Sequence, residues 1–103
     1  MEVKYHQGDV EKFLDSLDKI TRARVDRTIK LLSEKTYQLV LPDSKRLEKD
    51  LYELRVRSIQ NIRIFYTFYE SQIILLHGIY KKSQKLKQKD LDTARQRLNF
   101  LHC

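Results

Sequence analysis

The sequence predicts a small α+β domain: an antiparallel sheet with helices packed on it, in the order β-α-α-β-β-β-α. Apolar residues recur at helical spacing near both ends of the chain, in Val10, Phe13, Leu14 and Leu17 and again in Leu91, Ala94, Leu98 and Leu101. Between them, from Leu51 to Tyr80, the texture switches to alternation and to aromatic or β-branched runs. The chain has 103 residues, 41% of them hydrophobic, which fits one ordinary domain with its own core and leaves no room for a second. The domain is expected to span residues 1–103.

Taken in order, Val3 and Tyr5 alternate with polar neighbours and give a short opening strand. Gly8-Asp9 punctuates, and Asp9 is the expected N-cap of a first helix. Thr21 is the expected cap of a second, whose buried stripe is Val25, Ile29 and Leu32, so that the two form a hairpin joined near Lys19-Ile20. The stretch from Tyr37 to Asp50 holds the only proline, Pro42, and reads as a loop around a short ordered piece. Leu51 to Arg57 then alternates, with Tyr52, Leu54 and Val56 on one face and Glu53, Arg55 and Arg57 on the other. Ser58 to Asn61 is a turn, Ile62 to Tyr69 a second strand, and Glu70-Ser71-Gln72 a turn into a third. Ile73 to Tyr80 is apolar on both faces, which suits a central position covered on both sides. Asp90 and Asp92 suit the first turn of a closing helix.

Charge narrows the function. Lys and Arg number 21 against 14 Asp and Glu, a net +7, which favours a polyanionic partner such as nucleic acid or an acidic protein segment. A single cysteine, Cys103, excludes an intrachain disulfide and fits a reducing compartment. The opening residues lack the apolar run of a signal peptide, and the longest apolar stretch, Ile73 to Leu76, is too short to span a bilayer. A cytoplasmic protein without a membrane partner is the expectation.

Three basic surfaces can carry chemistry. Arg55, Arg57 and Arg63 would converge on one sheet face, where guanidiniums can grip a phosphate and stabilise charge that develops on it. The same pattern also fits a solvated face with Glu53 paired to one arginine. Tyr80 to Lys89 holds Lys81, Lys82, Lys85, Lys87 and Lys89 with no acid; lysines there can neutralise backbone phosphates while Tyr80 stacks on a base. The alternative is a solubilising loop. The second helix, with Lys19, Arg22, Arg24, Arg27, Lys30 and Lys35, reads chiefly as a solvated helix face. His6, His77 and His102 are scattered without cysteine partners, so neither a zinc site nor any cofactor is expected. His77, within an apolar strand, reads as a core or edge histidine with one satisfied hydrogen bond, with catalytic use as the alternative. No phosphate-cradling glycine loop or nucleophile elbow is present. Any catalysis must then work through Arg, Lys and Tyr, as in metal-free phosphate cleavage with a ribose 2′-OH as nucleophile.

Four phrases in order sharpen this. Leu51-Tyr-Glu-Leu-Arg55, Asn61-Ile-Arg-Ile-Phe-Tyr66, Ile74-Leu-Leu-His-Gly-Ile-Tyr-Lys-Lys-Ser-Gln-Lys85 and Leu91-Asp-Thr-Ala-Arg95 resemble the RelE/ParE toxin superfamily, and within it the phage-derived HigB-like toxins. The resemblance implies a RelE-like fold and the toxin of a type II toxin–antitoxin pair, an endoribonuclease that cleaves mRNA on the ribosome without a metal. Its implied partners are a helix-turn-helix antitoxin and mRNA. At the matching positions Arg55 and Arg63 would hold the scissile phosphate, Lys81 and Lys82 the RNA backbone or a proton in transit, and Tyr66 or Tyr80 would stack or orient. Arg57, Lys85, Lys87 and Lys89 would extend the RNA-binding surface, and Glu53 would orient Arg55. The chain departs from many relatives where Leu86-Lys87 replaces Thr-Pro before the last helix, and where Ser58-Ile59-Gln60 replaces a glycine-bearing turn. A gyrase-directed toxin of the ParE type, or a non-catalytic binding domain of the same fold, are the alternatives.

Overall fold

A computed structural model describes residues 1–82 and 85–103. The elements are β1 (Glu2–Tyr5), α1 (Gly8–Asp15), α2 (Lys19–Lys35), β2 (Ser44–Glu48), β3 (Leu51–Val56), β4 (Ile62–Tyr69), β5 (Gln72–Tyr80) and α3 (Gln88–Leu101). The expected α+β class, the N-terminal helix pair and the C-terminal helix are all present. The sheet has five strands in the order β1-β5-β4-β3-β2. Strands β2 to β5 form an antiparallel meander, whereas β1 pairs in parallel with β5, Glu2 opposite Gln72 through Tyr5 opposite Leu75. The sheet is therefore mixed rather than wholly antiparallel, and it sets β5 between β1 and β4, with both apolar faces of β5 covered by helices.

Four boundaries differ from the sequence reading. The segment expected as a loop contains the edge strand β2, whose ladder is extended by the Arg55 amide donating to the Asp43 carbonyl at 2.8 Å. Helix α1 starts two residues early, at Gly8, with Gln7 in the cap position, so Asp9 lies inside the first turn. The cap of α2 is Asp18, whose carboxylate accepts from the Thr21 amide at 2.9 Å. Thr21 is instead fully buried in the first turn, and its hydroxyl donates to Ser58 Oγ. The two helices accordingly meet around Ser16 to Asp18 rather than at Lys19-Ile20.

Helices α1 and α2 cover one face of the sheet and α3 the other. The larger core joins Val10, Leu14, Val25 and Leu32 to Leu54, Val56, Ile62, Ile64, Ile73 and Leu75. On the opposite face Ala94 and Leu98 pack on Leu51, Phe65, Ile74 and Leu76. Helix α3 is tied down by polar bonds as well: His77 Nε2 lies 3.0 Å from Asp90 Oδ1, and Arg97 donates to the Leu76 carbonyl and to Asp9. His77 thus has its one hydrogen bond, and its ring stacks on Phe65.

Candidate functional site

Beyond the patch that α3 covers, the same sheet face turns polar. Arg55 of β3 stands directly opposite Arg63 of β4, and Arg63 opposite Ile79 of β5, so alternation along three neighbouring strands brings Glu53, Arg55 and Arg63 together. Glu53 is 1% exposed. Its Oε1 accepts from Arg55 Nε at 2.7 Å and lies 3.6 Å from Arg63 Nε. The first is a charge-assisted hydrogen bond; the second is too long for one. Arg63 Nε is buried without a hydrogen-bond partner among the described residues.

A half-buried guanidinium whose enclosed Nε lacks a partner carries a costly charge, which an anion at its exposed nitrogens would offset. Burial lowers the pKa of Arg63, and Arg55 and Arg57 act in the same direction, while Glu53 opposes them. Lys81 shares this field. Its amide donates to the Asn61 carbonyl at 2.8 Å, continuing the ladder past β5. Burial depresses its ammonium pKa, helped by Arg63 and Arg55 and opposed by Glu53. Three cations thus gather around one buried carboxylate, and the excess positive charge suits a phosphate.

A bulge in β5 selects which residues join. Tyr66 pairs with Leu75 but Phe65 with His77, so Leu76 is the extra residue. Without it, Gly78 and Tyr80 would share the face of Arg63; with it, His77, Ile79 and Lys81 do. Gly78 instead lies under α1, where a Cβ would meet Phe13 Cδ2 at 2.6 Å. Tyr80 packs edge-on against Phe13, ring centroids 5.0 Å apart.

The structure therefore divides the expected site residues. Arg55, Arg63 and Lys81 come together. Tyr66 does not join them: it is 1% exposed, belongs to the core under α1 and α2, and shares a hydrogen bond with the buried Ser44 hydroxyl. The alternation of β4 puts Tyr66 on the face opposite Arg63, a parity that the sequence already contained. Arg57 lies one residue past β3 and lines a cleft of about 390 Å3 with Arg55 and Arg63. Tyr80, Lys82, Lys85 and Lys87 line a second cleft of about 360 Å3, on the far side of β5 and shared with Lys81. Lys89 is exposed in the first turn of α3, outside both clefts. Ser83 and Gln84, part of the third phrase, lie outside the described residues. The first cleft also enlists Arg24 and Arg27 of α2, which read in the sequence as a solvated helix face. Their three-residue spacing, which sets both on one side of a helix, was the available signal.

Among the described residues, no group of three His, Cys, Asp or Glu side chains is placed to hold a metal ion, and no helix is long and apolar enough to cross a membrane. Residues 12–99 match the family model described as "Phage derived protein Gp49-like (DUF891)". The chain belongs to this Gp49-like family. The match runs from within α1 to the last turn of α3, so the Arg55/Arg63/Lys81 cluster lies wholly inside it. The Gp49-like chain is of the RelE/Gp49 type, and its five-stranded sheet with a helix pair and a closing helix accords with a small RelE-like fold. No curated protein matches it.

Proposed function

We propose that this Gp49-like chain is a HigB-like toxin of a type II toxin–antitoxin pair, an endoribonuclease that cleaves mRNA on the ribosome without a metal ion. A helix-turn-helix antitoxin holds it in check. The observation that carries the reading is the cluster of Arg55, Arg63 and Lys81 around the buried Glu53. In the reaction, a ribose 2′-oxygen attacks the adjacent phosphorus and loses its proton. The bond to the 5′-oxygen breaks, and that oxygen takes up a proton, leaving a 2′,3′-cyclic phosphate and a 5′-hydroxyl. Arg55 and Arg63 hold the non-bridging oxygens, where negative charge grows in the transition state. Lys81, with its lowered pKa, is the group best suited to pass a proton. Glu53 is a positioning residue that fixes Arg55.

Added to translating ribosomes, the purified protein should cleave their mRNA, and its expression should arrest growth with loss of mRNA. Arg55→Ala/Arg63→Ala should lower cleavage by about 10²–10³-fold while the circular dichroism spectrum stays unchanged. Full toxicity in that double variant would remove the site from consideration. DNA-damage signalling with intact mRNA would point to a gyrase-directed toxin, and harmless expression to a binding domain.

A further inference from the structure

The cleft at the end of β3 extends past the residues that the reaction uses. Strand β2 pairs with β3 only as far as Ser44 opposite Leu54, with one more bond from Asp43 to Arg55. Past that point the edge of β3 has no neighbouring strand among the described residues, and α2 flanks the cleft there. Arg24 Nη1 donates to the Arg57 carbonyl at 3.2 Å, which anchors one helix guanidinium on the strand end. Arg27 follows on the same side of α2. Five guanidiniums, those of Arg24, Arg27, Arg55, Arg57 and Arg63, thus line a cleft of about 390 Å3 whose only carboxylate, among the described residues, is Asp43.

Pairing elsewhere makes this concentration notable. Arg22, two residues before Arg24, is bonded to Asp15 and Asp26, and Arg95 and Arg97 likewise have carboxylate partners. Among the described residues, Arg24, Arg27 and Arg57 have none. We infer that this cleft is a second phosphate subsite, which takes the RNA backbone phosphate next to the scissile one and leads the strand from Lys81 across Arg63 and Arg55 to α2. Arg55 and Arg63 line the cleft and also form the cluster, so the two anion sites adjoin. A guanidinium fork matches phosphate geometry and cannot be neutralised at physiological pH. The choice of RNA over another polyanion rests on the function proposed above.

The test is binding of a short, uncleavable 2′-O-methyl RNA to the full chain as salt is varied. Arg24→Ala/Arg27→Ala should weaken binding by about tenfold and reduce the slope of log affinity against log salt by about 0.7, the value for one fewer phosphate contact on a single strand. Both residues are exposed and helical, and alanine favours helix, so the variant should fold. Lys19→Ala/Lys35→Ala removes the same charge from the same helix outside the cleft and should keep the wild-type slope. An Arg pair whose slope equals wild type, or falls no further than the Lys pair, overturns the subsite. So does loss of binding to poly-glutamate with unchanged RNA binding, which would make the cleft a dock for an acidic protein segment. Cleavage by the wild type is scored separately. If cleavage is absent but the slope falls as expected, the endoribonuclease reading fails and the subsite stands.

Discussion

Glu53 shows how one residue can set a site without reaching a ligand. Its carboxylate is almost wholly enclosed, holds Arg55 by a 2.7 Å bond and, among the described residues, supplies the only counter-charge near Arg63. Replacing it by glutamine keeps the shape and removes the charge, which leaves a half-buried guanidinium uncompensated. Glu53→Gln should therefore lower folding stability by about 2 kcal/mol, seen as a lower urea midpoint at unchanged slope. Adding Arg63→Gln should cost less than the sum of the single changes, since the second removes the charge that the first left bare. Strict additivity would mean that the two groups do not sense each other. The alternation around Glu53 was legible in the sequence, which placed Glu53, Arg55 and Arg63 on one face. The depth of Glu53 was not, because an acidic residue between arginines looks the same whether it is solvated or enclosed.

Among the elements, β1, α1 and α3 meet at His6. Its ring stands edge-on to Phe100 of α3, centroids 5.6 Å apart. Burial lowers its pKa below 6.5, Arg97 adds to the shift, and Asp9 opposes it. The unfolded chain then binds more protons than the folded one across the window below 6.5, so stability rises with pH through that window and is lost as pH falls. Asp9 acts in a separate range. Burial pushes its pKa up, but bonding to Arg97 prevails and holds it below 3.8, so its contribution disappears only in stronger acid. Urea midpoints between about pH 5 and 7.5 should climb in the wild type and flatten in His6→Gln; an unchanged climb would assign the effect elsewhere. Long periodic elements were legible: both long helices and the strands β3 to β5 follow from their apolar spacing. Strand β2 was not, since Ser-Lys-Arg-Leu-Glu offers one apolar side chain and lies at the sheet edge, where burial writes no alternation. Asp18 displaced Thr21 as the cap of α2 because a carboxylate three residues upstream can accept from the Thr21 amide.

At the scale of the whole molecule, the site and the closure of the sheet depend on different parts of the chain. Arg55, Arg63 and Lys81 sit on or just past consecutive antiparallel strands joined by short turns, so the geometry that gathers them is local. Strand β1 closes the sheet from the far end of the sequence, with Glu2 and Gln72 70 positions apart. Loop closure over that distance delays a contact, whereas the β4–β5 hairpin needs only a two-residue turn. That turn places Glu70 and Ser71 at φ 49° and 61°, left-handed values that favour Asn and Gly. Glu70→Asn/Ser71→Gly should stabilise the fold by about 0.5–1 kcal/mol, chiefly by faster folding, the outcome expected where the local hairpin forms before the long-range β1–β5 pairing. Val3, half-buried against the larger core from β1, should behave oppositely. Val3→Ala should speed unfolding and leave the folding rate nearly unchanged, since its contacts arrive after the barrier. Stopped-flow folding and unfolding limbs for the two variants decide the order. If Val3→Ala slows folding in proportion to its loss of stability, the parallel β1–β5 pairing forms first, and the meander that carries the cations assembles on it rather than before it.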